Sequence, residues 1–175
     1  LAPESVFTIS GAADDQFCPR TLDSNAKEGL RAKYGLNGDF ILYTGGIEWR
    51  KNVEGLLRGY AQLPKGLRRR HQLTIVCEIS DHSRRHLEDL AAKLGLDPQE
   101  VAMTGFVPDT DLIDLYNVCS LFVFPSRYEG FGLPVLEAMR CGAPVIVADT
   151  SSLSELVTLP EARFDVGQPV PLFGQ

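Results

Sequence analysis

No stretch of the chain holds the roughly 18 consecutive apolar residues that a membrane-crossing helix requires, and its first residues lack the charged-then-apolar pattern of a secretory leader. The expected setting is the cytoplasm. An excess of positive charge is missing too. The formal net charge is −6 at pH 7, which excludes a general nucleic-acid or anionic-membrane surface, because such surfaces bind by diffuse attraction to basic patches. An anionic ligand must therefore be met locally. The four cysteines, Cys18, Cys77, Cys119 and Cys141, show no C-x-x-C spacing. Two of them lie in apolar runs, so reduced thiols are expected and not a disulfide frame. His82 and His86 lie four apart on a predicted helix, but Arg84 and Arg85 stand between them and no H-E-x-x-H glutamate is present, so no metal site is expected. No G-x-G-x-x-G follows the first strand of the main helical and strand pattern, which excludes a nicotinamide-dependent dehydrogenase half.

What is present is an ordinary globular composition, 44% hydrophobic and 23% charged over 175 residues, enough for one domain with a buried core. Strands are expected at 6–10, 40–44, 73–79, 101–107 with its turn, 121–124 and 144–148. Helices are expected over 24–34 with Gly35 as the stop, from about Asn52 to 63, over 109–118 with Asp109 or Thr110 as cap, from Leu133 and Pro134 onward with Pro134 at the first helical position, and after Ser151 and Ser152. This order reads as an α/β, Rossmann-like three-layer sandwich, with parallel strands covered by helices on both faces. Leu112, Leu115 and Tyr116 recur at helical spacing and are expected in the core. The run Lys65, Arg68, Arg69 and Arg70 is expected to be a basic loop facing water, with His71 on the surface beside it. Residues 1–20 read as an extended linker, and 160–175 as a tail with no sustained period. Because Leu1 is not an initiator methionine, the chain is expected to be cut from something longer.

The chemistry concentrates between Leu121 and Ser154. A buried strand closed by Pro125 opens into a loop, and ligands of open α/β sheets sit at such strand ends. The loop carries Glu129, Gly130, Phe131 and Gly132, and the helix that follows starts at Leu133. Unpaired backbone amides at Gly132 and Leu133, together with the helix dipole, form an anion site suited to phosphate. Glu137, about a turn inside the helix, could accept hydrogen bonds from hydroxyls such as those of a ribose, while Glu129 faces the loop's ligand. A second glycine turn, Gly45 and Gly46, ends the earlier strand and is followed by Arg50 and Lys51. Two cations at a helix start are electrostatically disfavoured unless an anion or an acidic group lies near; a diphosphate would suit them.

Glu129, Gly130, Phe131, Gly132, Leu133, Pro134 and Glu137 together resemble the E-x7-E signature of the retaining glycosyltransferases of family 4. The resemblance runs from near residue 5 to about residue 157. It implies the C-terminal, donor-binding lobe of a two-lobed GT-B enzyme, with 1–20 as the crossing between lobes, 21–159 as the nucleotide-sugar domain and the acceptor-binding lobe missing. Phe17 and Pro19 occupy the places of the family's F-x-P element. The implied donor is a nucleoside diphosphate sugar, and the wording around Gly45 to Asn52 is similar to mannosyltransferase-like members that use a GDP sugar. The acceptor would be a glycan or a lipid-linked sugar, with peripheral association of the full-length protein at the inner face of the membrane. No metal or cofactor is implied. Lys51, Arg50 and Glu129 would act at the reacting centre. Gly45, Gly46, Gly130, Phe131, Gly132, Leu133 and Glu137 would bind the donor, and Val107 would offer backbone groups to the base. Most relatives carry arginine where this chain has Gly46, and a glycine turn where it has Cys77 to Ser80.

Paired carboxylates also occur in glycoside hydrolases, but the glycine turn, the helix start and the paired cations supply a phosphate site that a hydrolase of neutral glycosides does not need. The remaining alternative is a nucleotide-sugar binding or regulatory module without turnover.

Overall fold

A computed structural model describes residues 11–167; the strand expected at 6–10 and residues 168–175 lie outside the described residues. Six parallel strands form one sheet in the order β3-β2-β1-β4-β5-β6. They are β1 Asp39–Thr44, β2 His71–Val76, β3 Val101–Gly105, β4 Leu121–Phe124, β5 Val145–Ala148 and β6 Arg163–Phe164. The helices are α1 Ser24–Tyr34, α2 Val53–Ala61, α3 Lys65–Arg68, α4 Asp81–Lys93, α5 Asp109–Val118, α6 Leu133–Arg140 and α7 Leu153–Leu156. Helix α2 packs on α4, while α5 packs on both α1 and α6. The α/β Rossmann-like reading is borne out.

Parallel strands need cover on both faces, and the sequence provides for it with runs that are apolar throughout. Phe40, Ile41, Leu42 and Tyr43 in β1 are all fully buried, as are Phe122, Val123 and Phe124 in β4. Each such side chain contributes about 1.5–3 kcal/mol by leaving water. Helix α1 begins where Asp23 accepts the Ala26 amide at 2.8 Å and stops at Gly35, whose left-handed backbone closes the last turn. All four cysteines are free thiols, and burial pushes the Cys77 thiol up to about 11.

Several local expectations are corrected. Asn52 takes a left-handed backbone, φ 57°. It therefore separates a 3-10 turn, Trp49–Lys51, from α2, which starts one residue later than expected. Strand β2 ends at Val76 and not at 79, because Ser80 is already needed to cap α4 by accepting the Ser83 amide. Pro108, not Asp109 or Thr110, occupies the cap position of α5, with no side-chain cap bond. Pro134 is the second residue of α6, since Leu133 is the first. The basic run is not simply a solvated loop. Lys65–Arg68 forms α3, and Arg68 is buried against Glu100 with Nε and Oε1 3.4 Å apart. His71 is half-buried as the first residue of β2, and its carbonyl accepts the Tyr60 hydroxyl at 3.0 Å.

Candidate functional site

Strand order reverses direction between β1 and β4: from β1 the chain moves to β2 and β3, from β4 to β5 and β6. The loops that leave the C-terminal ends of these two neighbours part company there and leave a crevice, the usual ligand position of an open α/β sheet. Arg50 and Lys51 come from the loop after β1, and residues 126–132 from the loop after β4. Residues 73 to 79 positions apart in sequence meet at this point.

The two loops are tied by backbone as well as side chains. The Arg127 amide donates to the Arg50 carbonyl at 2.7 Å, the Asn52 amide group donates to the Pro125 carbonyl at 3.1 Å, and Arg127 Nη2 donates to Asn52 Oδ1 at 2.9 Å. That clamp holds the left-handed Asn52 in place and so sets the direction of the Trp49–Lys51 turn. Lys51 Nζ lies 2.7 Å from Glu129 Oε1, and Arg50 Nη1 lies 3.4 Å from both carboxylate oxygens. The Lys51 and Glu129 side chains are only 11% and 9% exposed, whereas Arg50 keeps 45% of its surface in water. The pair also rests on the Phe124 ring, with Nζ 5.2 Å from its centroid. An acidic group thus answers the two cations, as their position at a helix start requires.

Glu129 is held by its backbone. Its amide donates to Ser151 Oγ at 3.0 Å, and its carbonyl accepts the Ser152 hydroxyl at 3.1 Å. Ser152 stands at the cap position of α7 but its side chain makes no cap bond there. The sequence marks this turn as serine-rich, but only the fold shows that its hydroxyls grip the Glu129 loop. Gly132 sits at the start of α6 with φ 97°, where a Cβ would meet Leu153 at 2.8 Å and Leu156 at 3.1 Å. Glycine is needed both for the backbone and for the approach of α7. The amides of Gly132 and Leu133 donate to no partner among the described residues, so two donors remain free at the helix start. Gly130 and Leu133 are exposed, and Phe131 is partly buried against Gly11.

Glu137 faces α5. Its Oε2 accepts the Tyr116 hydroxyl at 3.1 Å, and Tyr116 Oη lies 3.0 Å from Thr44 Oγ1 at the end of β1. Since the phenol gives its only proton to the carboxylate, the threonine hydroxyl donates to the phenol oxygen. Burial raises the Glu137 carboxyl above its ordinary range, partly offset by the Tyr116 bond. Burial and the neighbouring carboxylate push the Tyr116 phenol up as well. Tyr116 is fully buried, as expected of a core residue, yet its hydroxyl is what positions Glu137; spacing alone signals the ring and not the hydroxyl. Tyr43 acts similarly, donating to the Gly46 carbonyl at 2.5 Å. At Gly46 a Cβ would meet the Glu48 carboxylate, the movable end of that side chain.

Of the remaining positions singled out in the sequence, Gly45 leads out of β1 beside Lys51. Val107 is buried just beyond β3. His82 and His86 both lie on α4, where His86 bonds Glu54 at 3.0 Å. No group of three or more metal-ligating side chains occurs among the described residues. No described helix is long and apolar enough to cross a membrane.

The family described as Glycosyl transferases group 1 matches residues 26–168. The serotype-specific mannosyltransferase WbdA of Escherichia coli is 39% identical over 165 residues, which cover 94% of this chain and 20% of that protein. The chain therefore spans about a fifth of the length of this relative. The crystal structure of WaaG, a glycosyltransferase involved in lipopolysaccharide biosynthesis, matches with a TM-score of 0.76 at 24% identity, over 93% of this chain and 43% of that one. HepE of Anabaena, solved in complex with UDP-glucose, matches with a TM-score of 0.69 at 24% identity, over 83% and 39%. The two structural likenesses are likenesses of fold.

Proposed function

The chain belongs to the group 1 glycosyl transferases, and from that premise we propose that it is the donor-binding lobe of a retaining enzyme transferring mannose from GDP-mannose to a glycan or lipid-linked acceptor. The observation that carries this reading is the meeting of Lys51, Arg50 and Glu129 at the β1–β4 switch point, beside the two free amides that open α6. An ammonium has three N–H donors. Glu129 takes one of those of Lys51, and the others remain for the oxygens of a diphosphate. The half-exposed Arg50 adds a second cation, and the Gly132 and Leu133 amides add fixed dipoles.

In glycosyl transfer from such a donor, the bond between the anomeric carbon and the diphosphate oxygen breaks and negative charge grows on the departing phosphate. Preorganised donors aimed at that charge stabilise the transition state more than the ground state, with a typical effect of about 100- to 1,000-fold for one donor. Glu129 keeps Lys51 placed before the donor arrives and presents its remaining oxygen to the sugar. Glu137, fixed by Tyr116, accepts the ribose hydroxyls. Mannose is favoured by the name of the Escherichia coli relative and by the resemblance of the stretch around Arg50 and Lys51 to enzymes using GDP sugars; retention rests on the E-x7-E resemblance.

The test is a transfer assay in a protein that carries this chain together with an acceptor-binding lobe. GDP-mannose and a mannoside acceptor should yield GDP and an α-linked product, and UDP-glucose should not. A β-linked product, or equal use of UDP-glucose, would contradict the assignment.

A further inference from the structure

A second cleft lies between α2 and α4. Its volume is about 530 Å3, within the range of small-ligand sites, about 300–1,000 Å3. Glu129, Glu137 and the start of α6 do not line it; Trp49, Asn52 and Arg127, which clamp the two loops together, form its edge. Trp49 is the only tryptophan in the chain and is 79% exposed. The Arg127 guanidinium lies over its ring, 5.2 Å from the centroid, which braces the indole and leaves the rest of its surface to solvent. A large aromatic held out in water beside polar groups is costly for the fold and useful for a ligand with an apolar face.

The charge of the cleft narrows the ligand. Glu48 and Glu54 stand against Arg58 and Arg127, a balance of two acids and two guanidinium groups. Glu54 occupies the first turn of α2 and Asp81 the first turn of α4, so both helix starts already have their negative charge. Glu54 is further engaged by His86 at 3.0 Å and Arg58 at 3.9 Å. Each guanidinium already has a local hold, Arg58 on Glu54 and Arg127 on Asn52 Oδ1 and the Trp49 ring, and an anion would also meet the Glu48 and Glu54 carboxylates. A neutral ligand with many hydroxyls fits better, because carboxylate and guanidinium groups accept from and donate to such hydroxyls.

We propose that this cleft is a binding subsite for a neutral hexopyranose unit of a glycan, with the C–H face of the sugar packed on Trp49 and its hydroxyls bonded to Glu54, Arg58 and Glu48. It is separate from the donor crevice and goes beyond the transfer reaction, giving the chain a hold on carbohydrate that does not depend on nucleotide. Placed next to the donor loops, it would keep a glycan near the reacting centre between transfers.

Trp49 is its own reporter. The full chain is titrated with methyl α-mannoside and with short α-linked manno-oligosaccharides while tryptophan emission is followed, and with inorganic phosphate as the anionic probe. The expected result is a saturable emission change with the neutral sugars, midpoint in the millimolar range and lower for the oligosaccharide, and none with phosphate. Glu54→Gln and Arg58→Ala should each weaken it about fivefold, and Lys51→Ala, which disables the donor crevice, should leave it in place. Trp49→Ala has no tryptophan emission to follow, so it is read by saturation-transfer NMR, where the sugar protons should receive no magnetisation from the protein. A response to phosphate alone would overturn the proposal, as would no response to any sugar or a sugar response that Lys51→Ala abolishes. Loss of nucleotide binding with the sugar response intact would count against the donor reading only.

Discussion

Arg68 with Glu100 and Lys51 with Glu129 are two buried ion pairs at opposite ends of one sheet. The first joins the residues leading into β2 and β3, the second those leaving β1 and β4. Burial does not distinguish them: the side chains are 6% and 8% exposed in one pair, 11% and 9% in the other. Their remaining partners do. Around Arg68 most contacts are to the fold itself, with Nη1 donating to the Ala61 carbonyl at 3.3 Å, Glu100 Oε2 accepting the Asp97 amide at 2.9 Å, and Tyr60 bonding the Arg68 and His71 carbonyls, while Arg68 Nε faces Glu100 as an ion pair without a hydrogen bond. Glu129 instead faces two cations, one of them half in water, next to a helix start whose amides are free. One pair is tied into the surrounding backbone; the other keeps a half-exposed cation and free amides beside it, as the proposed anion site requires.

The sharpest break of this contrast is Arg68→Ala. It strands the Glu100 carboxylate in the protein interior and should cost about 3–5 kcal/mol of stability, read by urea unfolding, while the nucleotide affinity of the folded fraction stays unchanged. Lys51→Ala should do the converse. Transfer should fall about 100-fold or more, and the unfolding midpoint should move less than for Arg68→Ala because Arg50 remains beside Glu129. Equal stability losses for the two variants would erase the distinction between the ends. Gly132→Ala should come next, at about 1–3 kcal/mol for forcing a left-handed backbone on a side chain. It should also lower nucleotide affinity, since the Cβ pushes α7 and its serine turn away from the Glu129 loop; calorimetry on the variant reads both.

The smallest effect concerns pH. Burial raises the Glu137 carboxyl above 4.5 in the folded chain, so the folded state holds this proton more tightly than the unfolded state. Its contribution to stability is present in full below 4.5 and declines as pH climbs through the raised value. The ionised carboxylate is the stronger acceptor for hydroxyls, so if Glu137 holds the ribose as proposed, nucleotide affinity should rise over the same window. Glu137→Gln should flatten both dependences. Tyr116→Phe, which removes a bond that favours the carboxylate, should move the affinity rise to higher pH. A titration across pH 4 to 8, a range chosen to bracket the ordinary carboxylate value of about 4.3, separates these curves.

Much of this was legible in the sequence because the fold announces itself locally. Short apolar runs without alternation that are rich in aromatic and β-branched residues and bounded by turn residues, as in β1 and β4, read as strands covered on both faces, and Gly35 and Asp23 mark helix ends by local chemistry that needs no tertiary context. The glycine-carboxylate spacing around Glu129 and Glu137 likewise identified the crevice's loop. What failed depended on partners far away in sequence. Arg68 reads as one of four solvated cations until Glu100 is seen beneath it. Tyr116 reads as a core ring until its hydroxyl meets Glu137. Two residues, Arg163–Phe164, suffice for β6 because β5 is already there to pair with, and so short a strand carries no period of its own. The left-handed Asn52 is set by bonds to Pro125 and Arg127, which no window around position 52 contains.

Calorimetric titration of the chain with GDP, UDP and ADP, repeated on Lys51→Ala and on Arg69→Ala, tests the central claim most directly, since Arg69 is an exposed cation at the far end of the sheet. The account predicts one saturable site with GDP preferred, at least about tenfold weaker in Lys51→Ala for the lost charge-assisted bond and unchanged in Arg69→Ala. Binding that survives Lys51→Ala intact, or that Arg69→Ala weakens as much, would contradict it.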